Sequence, residues 1–71
     1  MNLERIKNLR EDNDLTQKKI ADKLNISQRA YSHYENGSRS MPLNILVQLA
    51  DIYNCSVDYL LGRTNNKKIN I

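Results

Sequence analysis

A chain of 71 residues has room for one small domain, since a domain of this size buries only about 60–65% of the surface its unfolded chain exposes. Its 39% apolar and 27% charged residues suit a soluble domain and exclude a disordered one, while a single cysteine (Cys55) and a single histidine (His33) exclude an intramolecular disulfide and a cysteine-based zinc site. The net charge of +3 is modest and unevenly placed: residues 1–40 hold eight basic against six acidic side chains, residues 41–62 only Asp51 and Asp58, and residues 63–71 only Arg63, Lys67 and Lys68.

The pattern predicts five short helices and no strand. The first covers about residues 2–13, with Leu3, Ile6 and Leu9 on one face and Asn13-Asp14 as the break. Thr16 is a good N-cap for a second, about 16–24, with Ile20, Ala21 and Leu24 as its apolar stripe. Asn25 suits the left-handed conformation that ends a helix. Ile26 is an apolar anchor in the turn, and Ser27 caps a third helix, about 27–36, that Gly37 stops. After a loop at 38–41, Pro42 leads into a fourth helix, about 43–54, with Leu43, Leu46, Leu49, Ala50 and Tyr53 inward and Ile52 outward. Ser56 caps a fifth, about 56–61, with Val57, Leu60 and Leu61 inward, Tyr59 outward and Gly62 as its stop. Cys55 reads as a small packing residue between the last two helices. Residues 1–62 form the expected domain and 63–71 a basic tail carrying Ile69 and Ile71. No apolar run approaches the roughly 18–20 residues of a membrane span, and the N-terminus has no signal-peptide-like stretch, so a cytoplasmic location is expected.

Two helices joined by a three- or four-residue turn, the second capped by Ser, make a helix-turn-helix pattern. Many helical hairpins of this kind bind nothing, so the exposed face of the third helix decides. At about 100° per residue, Ala30, Tyr31 and Tyr34 fall on the core side and Gln28, Arg29, Ser32, His33 and Asn36 on the opposite side. None of these five is acidic, and all can donate hydrogen bonds. Gln28 and Arg29, nearest the helix start, are the residue types that read adenine and guanine edges bidentately in the major groove.

These residues sit in a run that resembles the Cro/repressor-type helix-turn-helix domain, also called the XRE family. The run is Leu15-Thr16-Gln17-Lys18-Lys19-Ile20-Ala21-Asp22-Lys23-Leu24-Asn25-Ile26-Ser27, followed by Tyr31-Ser32-His33-Tyr34-Glu35-Asn36-Gly37. Arg39, Met41-Pro42, Leu46-Val47-Gln48-Leu49-Ala50 and Ser56-Val57-Asp58-Tyr59-Leu60-Leu61-Gly62 continue it, so the likeness covers about residues 3–62. Asn25 departs from the glycine that members often carry, and Asn is the next-best residue for that backbone conformation. The resemblance implies an all-α, compact five-helix bundle of the lambda-repressor-like DNA-binding type, with the third helix in the major groove. It implies base contacts from Gln28, Arg29, Ser32 and His33, and phosphate contacts from Thr16, Gln17, Asn36 and Arg39. It also implies a largely buried ion pair between Arg10 and Glu35. Independently, the start of the second helix at Thr16-Gln17 offers free N–H groups and a positive dipole end to a phosphate.

The expected function is sequence-specific binding of double-stranded DNA by a small transcriptional regulator, a repressor that occludes a promoter. The resemblance implies a palindromic operator bound by a homodimer through the region of the fourth and fifth helices. The alternative is an antitoxin or anti-repressor adaptor whose main partner is another protein. An enzyme is not expected, because no nucleophile–base pair, spaced pair of carboxylates or Gly-rich phosphate loop is present. No cofactor, metal or membrane partner is expected either.

Overall fold

The structure, a computed structural model, describes residues 3–65. The N-terminal edge expected for the first helix, and Lys67, Lys68, Ile69 and Ile71, lie outside the described residues. The chain folds as α1 (Leu3–Asp12), α2 (Gln17–Leu24), α3 (Gln28–Asn36), α4 (Leu43–Tyr53) and α5 (Val57–Leu60). This is the expected all-α, five-helix architecture, with only helices among the described residues.

Local chemistry sets the helix ends. The Thr16, Ser27 and Ser56 hydroxyls accept hydrogen bonds from the N–H groups of Lys19, Ala30 and Tyr59, at 3.1, 3.0 and 3.0 Å. Each satisfies a first-turn donor that the helix leaves without a partner. Asp14, Asn25 and Asn54 take the left-handed conformation at φ 55°, 61° and 53°, which Asn and Asp tolerate best after glycine. Gly37 ends α3 at φ 83°, and a Cβ there would sit 3.0 Å from Leu3 Cδ1, so α1 also closes against this end.

Two turns are built alike. In Leu24-Asn25-Ile26-Ser27, the Asn25 N–H bonds the Asp22 carbonyl at 3.1 Å and the Ile26 N–H bonds the Ala21 carbonyl at 3.0 Å. In Tyr53-Asn54-Cys55-Ser56, the Asn54 N–H bonds the Asp51 carbonyl at 3.3 Å and the Cys55 N–H the Ala50 carbonyl at 2.9 Å. Both are Schellman-type ends followed at once by a serine cap. One joins α2 to α3 and the other α4 to α5.

The core draws on every helix: Ile6 and Leu9, Ile20, Ala21 and Leu24, Tyr31, then Ile45, Leu46, Leu49, Ala50 and Tyr53, with Leu60. Met41 and Cys55 add to it from the connections. Fully burying one such aliphatic side chain contributes about 1.5–3 kcal/mol.

Three expectations for α4 and α5 are corrected. Leu43, expected inward, is 69% exposed. Ile52 and Tyr59, expected outward, are half-buried against the core. Ile45, for which no position was expected, is also buried. Periodicity gives an angle about the helix axis but no position along it. Leu43 has a suitable angle but is the first residue of α4, one turn ahead of Leu46. Ile45 and Ile52 are seven residues apart and so share a second row. Alpha-helix α4 therefore buries a wider arc than one stripe.

Arg5 joins the first helix to the last described residues. Its Nη1 donates to the carbonyls of Tyr59 and Thr64, both at 2.9 Å. Its Nη2 donates to Asn65 Oδ1 at 3.3 Å, and the guanidinium lies 4.3 Å from the centre of the Tyr59 ring. A cation there meets both the carbonyl end of α5 and an aromatic face. No helix among the described residues is long and apolar enough to cross a membrane.

Burial separates two leucines of one helix. Leu49→Ala is expected to cost about 2–5 kcal/mol by cavity formation, and Leu43→Ala less than about 0.5 kcal/mol, as read from urea midpoints of the two variants.

Candidate nucleic-acid interface

The site is organised by a carboxylate that the fold buries. The Glu35 side chain, near the end of α3, is 5% exposed and that of Arg10, in the last turn of α1, 12%. A charge so placed is costly unless it is paired and hydrogen-bonded. Arg10 Nε donates to Glu35 Oε2 and Arg10 Nη2 to Oε1, each at 3.0 Å, a two-pronged contact that only arginine makes. Arg10 Nη1 donates to the Leu15 carbonyl at 2.8 Å, while the Leu15 N–H returns to the Arg10 carbonyl at 3.0 Å. One side chain thus ties α1 to α3 and fixes the approach to α2.

Gln17 then meets the pair from α2, its Nε2 lying 3.4 Å from Glu35 Oε1 in a long, weak bond. Burial pushes the Glu35 carboxyl up, but the bonds and charge of Arg10, with the nearby Tyr31 hydroxyl and Gln17 amide, together outweigh it and hold the group below its ordinary value. The bond to Glu35 outweighs burial for Arg10 as well and raises its guanidinium. The hydroxyls of Tyr31 and Tyr53 are buried nearby without a well-formed hydrogen bond. Burial pushes both phenols up, Tyr53 to about 12, so both stay neutral.

On this base the α2–turn–α3 unit presents an open concavity of about 550 Å³, lined by Gln17, Gln28, Arg29, Ser32 and His33. Gln28 and Arg29 are exposed, and Ser32, His33 and Gln17 half-buried. Every lining side chain can donate a hydrogen bond and none is acidic. The four residues expected at the bases share this concavity, and Gln17 is its only contribution from α2.

The expected phosphate-facing residues are more scattered. Gln17 and Asn36 line a second cleft with Lys7, Arg10 and Glu35. Asn36 is exposed, and its Oδ1 accepts from the Ser38 N–H at 2.9 Å, which leaves the amide NH₂ outward-capable as a donor. Thr16 is exposed with its hydroxyl accepting as the α2 cap. Arg39 is exposed, and its N–H donates to the His33 carbonyl at 3.2 Å. Neither Thr16 nor Arg39 lines either concavity. Lys7 was not singled out by the sequence; its helical phase on α1 carries no information about where α3 will lie.

A family model described as "Helix-turn-helix" matches residues 6–60. The chain is 41% identical to the uncharacterized HTH-type transcriptional regulator YobD of Bacillus subtilis, over 93% of this chain and 59% of that protein. It is 41% identical to the HTH-type transcriptional regulator ImmR of the same organism, over 93% of this chain and 52% of the relative. It is 38% identical to the cryptic phage CTXphi transcriptional repressor RstR of Vibrio cholerae, over 84% of this chain and 54% of the relative. The chain thus spans between half and three-fifths of these relatives. No solved structure matches it.

The ion pair gives a pH dependence whose sign is set by Glu35. Its folded carboxyl titrates below the ordinary 4.5, so its stabilisation is fully present above about pH 4.5 and is lost as pH falls through the folded value. At pH 7, Glu35→Gln is expected to be less stable than wild type by up to about 3–5 kcal/mol, the cost of leaving Arg10 buried without its counter-charge. That gap narrows as pH falls below about 4.5, which denaturant titrations at successively lower pH would show.

Proposed function

We propose that this chain, which belongs to the helix-turn-helix family, binds double-stranded DNA sequence-specifically and regulates transcription. The observation that carries the reading is the donor-only concavity of Gln17, Gln28, Arg29, Ser32 and His33 on the α2–turn–α3 unit. With α3 in the major groove, Gln28 and Arg29 address base edges near the start of the helix, where adenine and guanine offer paired acceptor and donor groups. Ser32 and His33 address bases one turn further on. Thr16, Gln17, Asn36 and Arg39 hold backbone phosphates and so set register rather than sequence. Gln17 braces the base-reading end through its place beside both Glu35 and Gln28.

The action proposed is repression by occupying a promoter, in keeping with the named repressor among the relatives. A homodimer on a two-fold operator is proposed to form through the α4–α5 region, supported by Leu43 and Val47, 69% and 44% exposed on α4.

Selection from random duplexes at about 150 mM salt tests this, with the Gln28→Ala, Arg29→Ala double variant in parallel. Wild type is expected to enrich a two-fold symmetric site with half-sites about 34 Å apart, and the double variant to lose it. Equal binding to all duplexes, or enrichment by neither folded protein, would overturn the reading and turn attention to a protein partner.

A further inference from the structure

The donors around the buried carboxylate are unequal. Glu35 Oε2 accepts from Arg10 Nε at 3.0 Å, while Oε1 accepts from Arg10 Nη2 at 3.0 Å and from Gln17 Nε2 at 3.4 Å. The Gln17 bond is the longest of the three, and Gln17 is also the residue that α2 contributes to the base-facing concavity. An ionised carboxylate offers about four acceptor sites, so Glu35 can take one donor more. Tyr31 is placed to be that donor. It precedes Glu35 by four residues on α3, which sets the two side chains one turn apart on the same face. Its side chain is wholly buried, and its hydroxyl lies near Glu35 without a well-formed hydrogen bond. The Tyr53 hydroxyl, reaching in from α4, is buried beside it in the same condition. A buried hydroxyl without a bond is costly, and two such groups beside one carboxylate call for a state of the protein in which they are used.

We propose that Tyr31 is a positioning residue for DNA binding: as the Gln17 amide turns outward to DNA, the Tyr31 hydroxyl donates to Glu35 Oε1 in its place, so that the buried carboxylate loses no hydrogen bond. The inference rests on the DNA-binding reading and couples the surface of the site to the interior beneath it. The phenol oxygen of Tyr31 remains an acceptor when its hydrogen goes to Glu35, and the Tyr53 hydroxyl is the donor beside it. Arg10 does not compete for the exchange, because its Nε, Nη1 and Nη2 are already committed to Glu35 and to the Leu15 carbonyl. One feature of Gln17 opposes the proposal. Its NH₂ carries two hydrogens and can hold Glu35 and DNA at once. At 3.4 Å, however, the existing bond is already long, and an outward pull breaks it first.

A double-mutant cycle read in both stability and affinity tests the proposal. The proteins compared are wild type, Tyr31→Phe, Gln17→Ala and the double variant, each by urea midpoint and by affinity for the selected duplex, with circular dichroism to confirm folding. Tyr31→Phe keeps the ring and removes only the hydroxyl. On its own it should leave the urea midpoint of the free protein unchanged or raise it, because the hydroxyl has no bond to lose there. It should nevertheless weaken duplex binding about tenfold, the value of one hydrogen bond to a charged group. In the Gln17→Ala background the pattern should reverse. Tyr31 then serves Glu35 with or without DNA, so its hydroxyl should matter to the urea midpoint and no longer to affinity. If Tyr31→Phe alone lowers the midpoint and binds the duplex as wild type does, the hydroxyl is a structural group of the free protein and the proposal is wrong. Equal weakening of binding in both backgrounds overturns it as well, and in either case the DNA reading stands. If wild type binds no duplex at all, the DNA reading fails and takes this inference with it.

Discussion

A carboxylate that is 5% exposed must find its counter-charge inside the protein, and Glu35 finds it on a helix 25 residues earlier in the chain. That requirement governs much of the rest. Lysine in place of Arg10 would offer a point charge and could not make the two-pronged contact and also hold the Leu15 carbonyl. Because Arg10 does all three, the end of α1, the connection into α2 and the end of α3 are fixed relative to one another by one planar group. The geometry gives the pair a role in placing elements that its bare energy would not predict, since buried pairs often break even against apolar substitutes.

The proposed interface inherits this order. Gln17 stands on Glu35 and opens onto both concavities, and Asn36 follows Glu35 directly. The side chains proposed to face the bases are therefore carried on a helix whose far end is anchored in the interior. Positioning of this kind matters because a bidentate base contact is worth about 1–3 kcal/mol only when both bonds form together. The exposed ends of Gln28 and Arg29 stay free to adapt, while the backbone that carries them does not.

Features that depend on a few neighbouring residues were legible in the sequence. Thr16, Ser27 and Ser56 could be recognised as caps because a cap needs only its own hydroxyl and an N–H three residues on. The common exposed face of Gln28, Arg29, Ser32 and His33 followed from helical phase alone, since all lie on one helix. Leu43 and Ile52 were misplaced, and Ile45 passed over, because burial also depends on which elements lie beside each turn of α4. Arg5 gave no signal because its partners are 54–60 residues away. Lys7 gave none because the cleft it lines is assembled from three helices. The Arg10–Glu35 pairing came through the family resemblance, and no local rule would have matched those two positions.

The paired turns at Asn25 and Asn54 carry a consequence for the denatured chain. Glycine would enter the left-handed conformation without strain, but it would also leave the unfolded chain more freedom to lose on folding. Asparagine accepts some strain in the folded turn, at φ 61° and 53°, and restricts the ensemble from which folding starts. The two effects are similar in size, on the order of 1 kcal/mol each. The sharp entry into α3 therefore owes part of its persistence to conformations that the unfolded chain rarely visits, and no inventory of native contacts would reveal that share.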